Sequence, residues 1–311
     1  MSKVPANLTI GLFGKKLRNP LILASGFLGV TKSSLKNVAQ NGAGAVTIKS
    51  ISREPRQGHK PPVVLTNGDV MINAVGYSNP GIEEAKREFS GLGDVGVPVI
   101  ASIIGEDARE LGYMAKNFLS REFAAVEVPL SCPHTPGYGL LAGQGTPEAT
   151  LEITKAVKGS TSLPVIIKIS ANVQSIGEVA KAAVKGGADA INVTNTIGPG
   201  MFIDVQARKP VLGFGVGGLS GPAIKPIAVR CVFDVYEAVR GSGIPIIGTG
   251  GVTTGQDAVE LIMAGASAVG IGSAIHFRGI EVFRQVCGEM AGFMESEGFS
   301  GIKEMVGIAH D

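Results

Sequence analysis

Cys132 stands in Pro-Leu-Ser-Cys-Pro-His, residues 129–134, within a Gly- and Pro-rich stretch that covers 129–145. A free thiol titrates near pH ~8.5, so it acts as a base or nucleophile only where its surroundings enrich the thiolate. A buried structural cysteine is the alternative; a long loop between strand and helix, of the kind that covers active sites, favours the reactive reading. Cys231 and Cys287 fall in helical patterns and read as packing residues. His134 reads equally as a substrate ligand or as plain loop, and His59, His276 and His310 carry little signal. Lys49 and Lys168 each end an apolar run, Ala-Val-Thr-Ile-Lys and Val-Ile-Ile-Lys. An ammonium among apolar residues is costly without a counter-charge. A bound anion, or a cofactor that gains negative charge on reduction, would offset that cost; a side chain snorkelling to solvent is the alternative. Gly-Thr-Gly-Gly at 248–251 and Gly-Ile-Gly-Ser at 270–273 let backbone N–H groups approach phosphate oxygens, although tight turns alone would use the same glycines.

The elements that must hold these groups are short apolar strands alternating with helices. Strands are expected over residues 21–24, 45–48, 99–102, 125–128, 165–169, 190–193, 245–247 and 268–271. Helices are expected over 82–90, 107–119, 147–158, 175–185, 222–239 and 254–264. Most of the strands are unbroken runs of Val, Ile, Leu and Ala, as in a parallel sheet covered by helices. Thr146-Pro147-Glu148 supplies a capping hydroxyl, a proline and an acid for a first helical turn. Gly44, Gly187 and Gly265 each precede an alanine and the next strand, and are expected to end helices in the left-handed conformation. Eight strand–helix units in 311 residues predict an α/β fold of one domain, a (β/α)8 TIM barrel over 1–311, with a doubly wound sheet as the alternative. Residues 8–18 read as a short N-terminal β-hairpin at the barrel floor. Barrel chemistry sits at the C-terminal strand ends. Ser25, Gly26, Lys49, Ser50, Cys132, Lys168, Asn195, Thr196, Gly250, Gly251, Gly272 and Ser273 all fall there. The glycine motifs follow the last two strands, the usual phosphate position of this architecture.

Composition narrows the function class. Apolar residues make up 44%, charged residues only 17%, and the net charge is +2 with Lys and Arg dispersed, so no basic stripe points to nucleic acid. No apolar run approaches a membrane span or the core of a signal peptide, which leads us to expect a soluble cytoplasmic protein. Three cysteines without CxxC spacing argue against a disulfide framework, a zinc site or an iron–sulfur cluster in this chain.

The motifs together resemble the dihydroorotate dehydrogenases of the cysteine-using class over nearly the whole chain. They are Ala-Ser-Gly at 24–26, Ile-Lys-Ser at 48–50, Asn-Ala-Val-Gly-Tyr-Ser-Asn-Pro-Gly at 73–81, Ser-Cys-Pro at 131–133 and Ile-Lys-Ile-Ser at 167–170 with Asn172. Thr-Asn-Thr at 194–196, Gly-Gly-Leu-Ser-Gly-Pro-Ala-Ile-Lys-Pro at 217–226 and the two late glycine motifs complete the set. The long 217–226 motif and the Cys132 loop are specific; Gly-Thr-Gly-Gly is shared by many FMN barrels. The resemblance implies FMN as cofactor. Ser25, Gly26, Lys49, Ser50 and Lys168 would lie along it, and Gly221, Gly250, Gly251, Gly272 and Ser273 would hold its ribityl chain and phosphate. Lys49, Asn73, Asn195 and Thr196 would bind the substrate. Cys132 would take a proton from C5 of dihydroorotate while a hydride leaves C6 for flavin N5, a step of pyrimidine biosynthesis. No metal is implied.

The departures fall in the substrate pocket. Pro129 and His134 replace two asparagines common around the family cysteine, Ser102 stands where Asn is common, and Ala171 where Pro is common. Proline supplies neither a side-chain amide nor a backbone N–H. Ser-Cys-Pro-His also resembles the pyrimidine-reducing domain of dihydropyrimidine dehydrogenase, so a dihydrouracil-like or related cyclic substrate competes with dihydroorotate. A non-catalytic flavin-binding homologue is a further alternative. Gly-Val-Gly-Gly-Leu-Ser-Gly at 215–221 lies too deep in the barrel pattern to found a nicotinamide domain. The resemblance is nearest to the class whose barrel pairs with an FAD and iron–sulfur electron-transfer subunit serving NAD, on a homodimer core; fumarate is the competing acceptor.

Overall fold

The structure, a computed structural model, describes residues 6–130 and 145–311. Strands β1 (Ile10–Leu12) and β2 (Lys15–Leu17) form an antiparallel hairpin whose turn residues Phe13 and Gly14 have positive φ. β3 (Leu21–Leu23) leads through α1 (Lys32–Gln40) to β4 (Ala45–Thr47). An excursion follows, β5 (Val64–Asn67) and β6 (Val70–Asn73), before α2 (Ile82–Glu88), β7 (Val99–Ser102), α3 (Ala108–Phe118) and β8 (Ala125–Pro129). Further along the chain come α4 (Pro147–Lys158), β9 (Val165–Ile169), α5 (Ile176–Gly186) and β10 (Ala190–Val193). A second excursion carries β11 (Ile197–Gly200), β12 (Ile203–Asp204), β13 (Lys209–Pro210) and β14 (Gly217–Ser220). The chain closes with α6 (Lys225–Val239), β15 (Ile246–Thr249), α7 (Gly255–Met263), β16 (Ala268–Ile271), α8 (Ala274–Arg278) and α9 (Val282–Glu297).

Eight strands, β3, β4, β7, β8, β9, β10, β15 and β16, are parallel to their neighbours and close on themselves, so the fold is the expected TIM barrel with its N-terminal hairpin. Seven of the eight expected strands match the observed ones to the residue or within one at each end, the exception being 245–247, observed as Ile246–Thr249. α4 begins as anticipated, with the Thr146 hydroxyl accepting from the Ala149 N–H and Pro147 in the first turn. α7 is held by a reciprocal cap in which Thr254 and Asp257 each satisfy the other's backbone N–H. Gly187 and Gly265 have φ of +94° and +122°, as expected of helix-ending glycines. Gly44 does not: the positive φ belongs to Gly42, and Gly44 is required for close approach, since a Cβ there would lie 2.2 Å from the Asn19 carbonyl.

Side chains two apart on a strand share a face, and this sorts the barrel interior into layers. The floor layer is apolar and takes one side chain from every barrel strand: Ile22, Ala45, Ile100, Ala125, Ile166, Ala190, Ile247 and Ala268. Leu12 and Leu17 of the hairpin pack on it from below, which explains why the hairpin exists. Two residues along, six of the eight strands carry polar side chains, Thr47, Ser102, Glu127, Lys168, Asn192 and Thr249, with Ala24 and Gly270 at the other two positions.

The excursions were absent from the expected elements. β11, β14, β6 and β5 form a four-stranded antiparallel sheet beside the barrel mouth. Its β5–β6 hairpin turns on Gly68-Asp69, with Gly68 at φ +55° and Asn67 paired with Val70. The Asn-Gly pair between two apolar runs was the available signal. α1 answers to the helix expected before Gly44, for which no bounds were read, and α8 and α9 lie outside the helices given bounds.

Candidate active site at the barrel mouth

A cavity of about 400 Å³ opens at the C-terminal end of the barrel strands, within the range that holds a cofactor or drug-sized ligand. Ser25, Gly26, Lys49, Ser50, Lys168, Gly250, Gly251, Gly272 and Ser273 all line it, as do Asn73, Asn195 and Thr196. Gly221 does not reach the wall. Its N–H donates to the Ser273 hydroxyl at 3.2 Å, and with φ +94° and the Asp69 carbonyl 2.4 Å from a hypothetical Cβ it admits no side chain. Cys132, with Ser131, Pro133 and His134, lies outside the described residues.

The second sheet forms one side of the cavity. Asn73, at the end of β6, donates from Nδ2 to the Gly218 carbonyl of β14 at 3.3 Å, which anchors the Asn73 side chain beside the cavity. Met71, Ser220 and Tyr77 join the wall from the same region. Asn195 turns its side-chain oxygen onto the Thr196 N–H at 2.7 Å. Ser50 is fixed from behind by the buried Ser102, hydroxyl to hydroxyl at 2.8 Å. Pro129 lines the cavity at the end of β8. His276 also lines it and hydrogen-bonds Thr66, whereas His59 is stacked on Phe214, 3.9 Å between ring centroids.

The glycine loops form a tight cradle. A Cβ on Gly250 would lie 2.8 Å from Ala228 Cβ, and one on Gly251 would lie 2.6 Å from the Lys225 backbone. Such positions hold backbone close to whatever enters the cavity. Lys225 is pinned there by Asp257 at 2.9 Å and Glu260 at 2.7 Å. Burial opposes ionisation of Asp257, but hydrogen bonds from Lys225, from the Thr253 and Thr254 N–H groups and from the Thr253 hydroxyl outweigh it and bring the carboxyl down to about 2. Cys231 and Cys287 are free thiols that burial pushes up to about 11, as befits packing residues.

Beneath the cavity lies a group that the sequence reading missed. Glu127, 2% exposed, projects from the middle of β8 into the barrel. Its carboxylate accepts from the Ser25 hydroxyl at 3.0 Å and from Asn192 Nδ2 at 2.6 Å, and stands 3.8 Å from Lys168 Nζ. Asn192 Oδ1 accepts in turn from the Thr249 hydroxyl at 2.8 Å. Lys168 is 3% exposed, and within the described residues its ammonium makes no hydrogen bond. A buried ammonium at a cavity wall that makes no hydrogen bond to a described residue, together with a glycine cradle, suits a ligand with a polar, electron-accepting ring and an anionic tail, and the residues present therefore fit a flavin nucleotide. Among the described residues no group of three or more His, Cys, Asp or Glu is placed to hold a metal. Among them, too, no helix is long and apolar enough to cross a membrane.

Comparison with known proteins agrees with this geometry. The family model for dihydroorotate dehydrogenase matches residues 7–294. The chain belongs to the dihydroorotate dehydrogenase family. It is 46% identical over 298 residues to a protein of Methanothermobacter thermautotrophicus named dihydroorotate dehydrogenase B (NAD(+)), catalytic subunit, covering 95% of this chain and 96% of that one. Proteins of the same name from Thermoplasma acidophilum and Methanocaldococcus jannaschii are 46% and 42% identical, with 98% of this chain covered in each case. A crystal structure of the Eimeria tenella dihydroorotate dehydrogenase in complex with ferulenol superposes with a TM-score of 0.82 at 22% identity, covering all of this chain and 90% of that one; it supports the fold.

Proposed function

We propose that this chain is the catalytic subunit of a dihydroorotate dehydrogenase, a single FMN-binding barrel that oxidises dihydroorotate to orotate in pyrimidine biosynthesis. The observation that carries the reading is the mouth cavity itself, where a buried ammonium and a glycine cradle from separate strands converge in a member of this family. Ser25, Gly26, Ser50 and Lys168 hold the flavin ring, and Gly250, Gly251, Gly272 and Ser273 its ribityl phosphate, with Gly221 acting through Ser273. When bound, FMN supplies the two-electron acceptor. Asn73, Asn195, Thr196 and Lys49 orient the substrate ring and its carboxylate. Cys132 removes the C5 proton as the C6 hydride departs, so that a C5=C6 double bond forms and the electrons balance. The Lys168 ammonium sits where added negative charge on a reduced ring would be stabilised without reorganisation.

The names of the relatives support electron transfer to NAD through a partner subunit. We read that partner as an FAD and iron–sulfur protein on a homodimeric core of this chain. Pro129, which lines the cavity without an amide, favours a second reading, a dihydropyrimidine lacking the carboxylate. One experiment separates them. Purified protein is yellow and releases FMN on denaturation, and anaerobic dihydroorotate bleaches it. Bleaching by dihydrouracil in place of dihydroorotate selects the second reading, and colourless protein that FMN cannot reconstitute refutes both. Cys132→Ala retains FMN but slows bleaching by orders of magnitude; a wild-type rate removes Cys132 from the role of base.

A further inference from the structure

We propose that Glu127 is a positioning residue for the flavin site: one buried carboxylate sets both the charge balance and the hydrogen-bond polarity of the cavity floor. The inference rests on the flavin reading above. Glu127 is absent from the expected site residues and touches nothing in the cavity directly; it acts through Lys168, Ser25, Asn192 and Thr249.

A carboxylate only accepts hydrogen bonds. Ser25 therefore donates its hydroxyl proton to Glu127, at 3.0 Å, and faces the cavity with lone pairs alone. Asn192 presents its NH2 to Glu127 at 2.6 Å, so its oxygen points the other way and takes the Thr249 proton at 2.8 Å. Thr249, which lines the cavity, is left with lone pairs there as well. Amide orientation is ordinarily inferred from the surrounding network; here an acceptor-only neighbour dictates it. The wall thus offers acceptors at Ser25 and Thr249 and donors at Lys168, a fixed pattern for a ring with both N–H and C=O edges.

The charge argument uses the same atoms. Lys168 and Glu127 are 3% and 2% exposed and 3.8 Å apart. Either charge alone at that depth is strongly penalised. The separation is too long for a hydrogen bond, so Glu127 balances the ammonium without occupying its donors. The contribution of Lys168 to the positive charge felt by a ring above the floor is reduced by Glu127, while Lys49 stands elsewhere in the wall.

Reducing a flavin adds electrons to its ring, so the net charge of this pair shifts the flavin midpoint potential. The test is that potential, measured by anaerobic titration of holoenzyme with a reference dye, with no substrate turnover involved. Glu127→Gln removes the negative charge and leaves the Asn192 amide facing another amide; the potential is expected to rise by about 30 mV or more, the equivalent of tenfold for a two-electron couple. Lys168→Met is expected to lower it. Opposed shifts from neighbouring buried substitutions are not what general loosening of the fold would produce. If Glu127→Gln yields no folded protein, Glu127→Asp carries the test: the charge is kept but withdrawn by one methylene from Lys168, and the potential is again expected to rise. Yellow wild-type protein together with a folded Glu127 variant at the wild-type potential overturns this inference alone. Colourless wild-type protein that FMN cannot reconstitute overturns the flavin reading and this inference with it.

Discussion

The two ends of the barrel interior are built from the same eight strands and do opposite things. At the floor every strand contributes an apolar side chain, and the hairpin residues Leu12 and Leu17 close the layer. One step along the same strands, Ile166 gives way to Lys168, Ala125 to Glu127, Ala190 to Asn192 and Ile247 to Thr249. The floor buries apolar surface at roughly 25 cal/mol per Å² and is where stability resides. The polar layer above it contributes little net stability, because buried charges rarely recover their desolvation cost; its return is a preorganised site. Stability and chemistry are separated by a single pleat of the strands.

Substitutions at the two ends should therefore fail in different ways. Ile166→Ala, in the floor, is expected to cost about 2–5 kcal/mol in urea unfolding, by lost burial and a cavity, while the flavin content of the folded fraction stays at the wild-type level. Loss of flavin from well-folded Ile166→Ala would break the separation. Gly251→Ala, in the mouth, is expected to weaken FMN binding by at least about tenfold, or ~1.4 kcal/mol. Its φ is +75° and its Cβ would lie 2.6 Å from Lys225 backbone atoms, so the cradle must shift. Fluorescence titration of apoprotein with FMN checks it.

Asp257 sits between the two regimes, behind the cradle. Asp257→Asn is expected to cost about 1–2 kcal/mol, the range for a lost helix cap, with a smaller effect on flavin affinity than Gly251→Ala. Its pH dependence has a definite sign. The folded carboxyl, near 2, lies below the unfolded value of about 3.9. Its contribution is complete above the unfolded value and is lost as pH falls from about 4 towards 2. Chemical unfolding across that window should show a loss in the wild type that Asp257→Asn lacks. The smallest effect belongs to Cys231 and Cys287, with thiols near 11. Iodoacetamide at pH 8 is expected to leave both largely unlabelled in native protein while Cys132 reacts, with peptide mass spectrometry as the readout. Rapid labelling of Cys231 or Cys287 in native protein would contradict the contrast between packing thiols and a catalytic one.

Much of this was legible along the chain because its signals are local. Apolar runs marked the barrel strands, Thr146-Pro147 marked a helix start, and Lys49 and Lys168 stood out as charges at the ends of apolar runs. Glu127 is as conspicuous, a lone acid in Ala-Val-Glu-Val, but it lies in mid-strand and not at a strand end, where barrel chemistry is expected. The second sheet escaped because β6 pairs with β14 across a long separation, and only Asn67-Gly68 announced the β5–β6 hairpin.

By itself, then, the sequence determined the barrel, its hairpin, the family and most of the cavity wall, since periodicity, turn residues and motifs are properties of neighbours in the chain. Which polar groups meet was decided only by closure of the barrel. Glu127 and Asn192 are 65 residues apart, Ser25 and Glu127 are 102 apart, and each pair is joined by a hydrogen bond inside the barrel. A carboxylate in an apolar strand is a liability in one dimension. The curvature that places Ser25, Asn192 and Lys168 around it makes it the electrostatic foundation of the mouth.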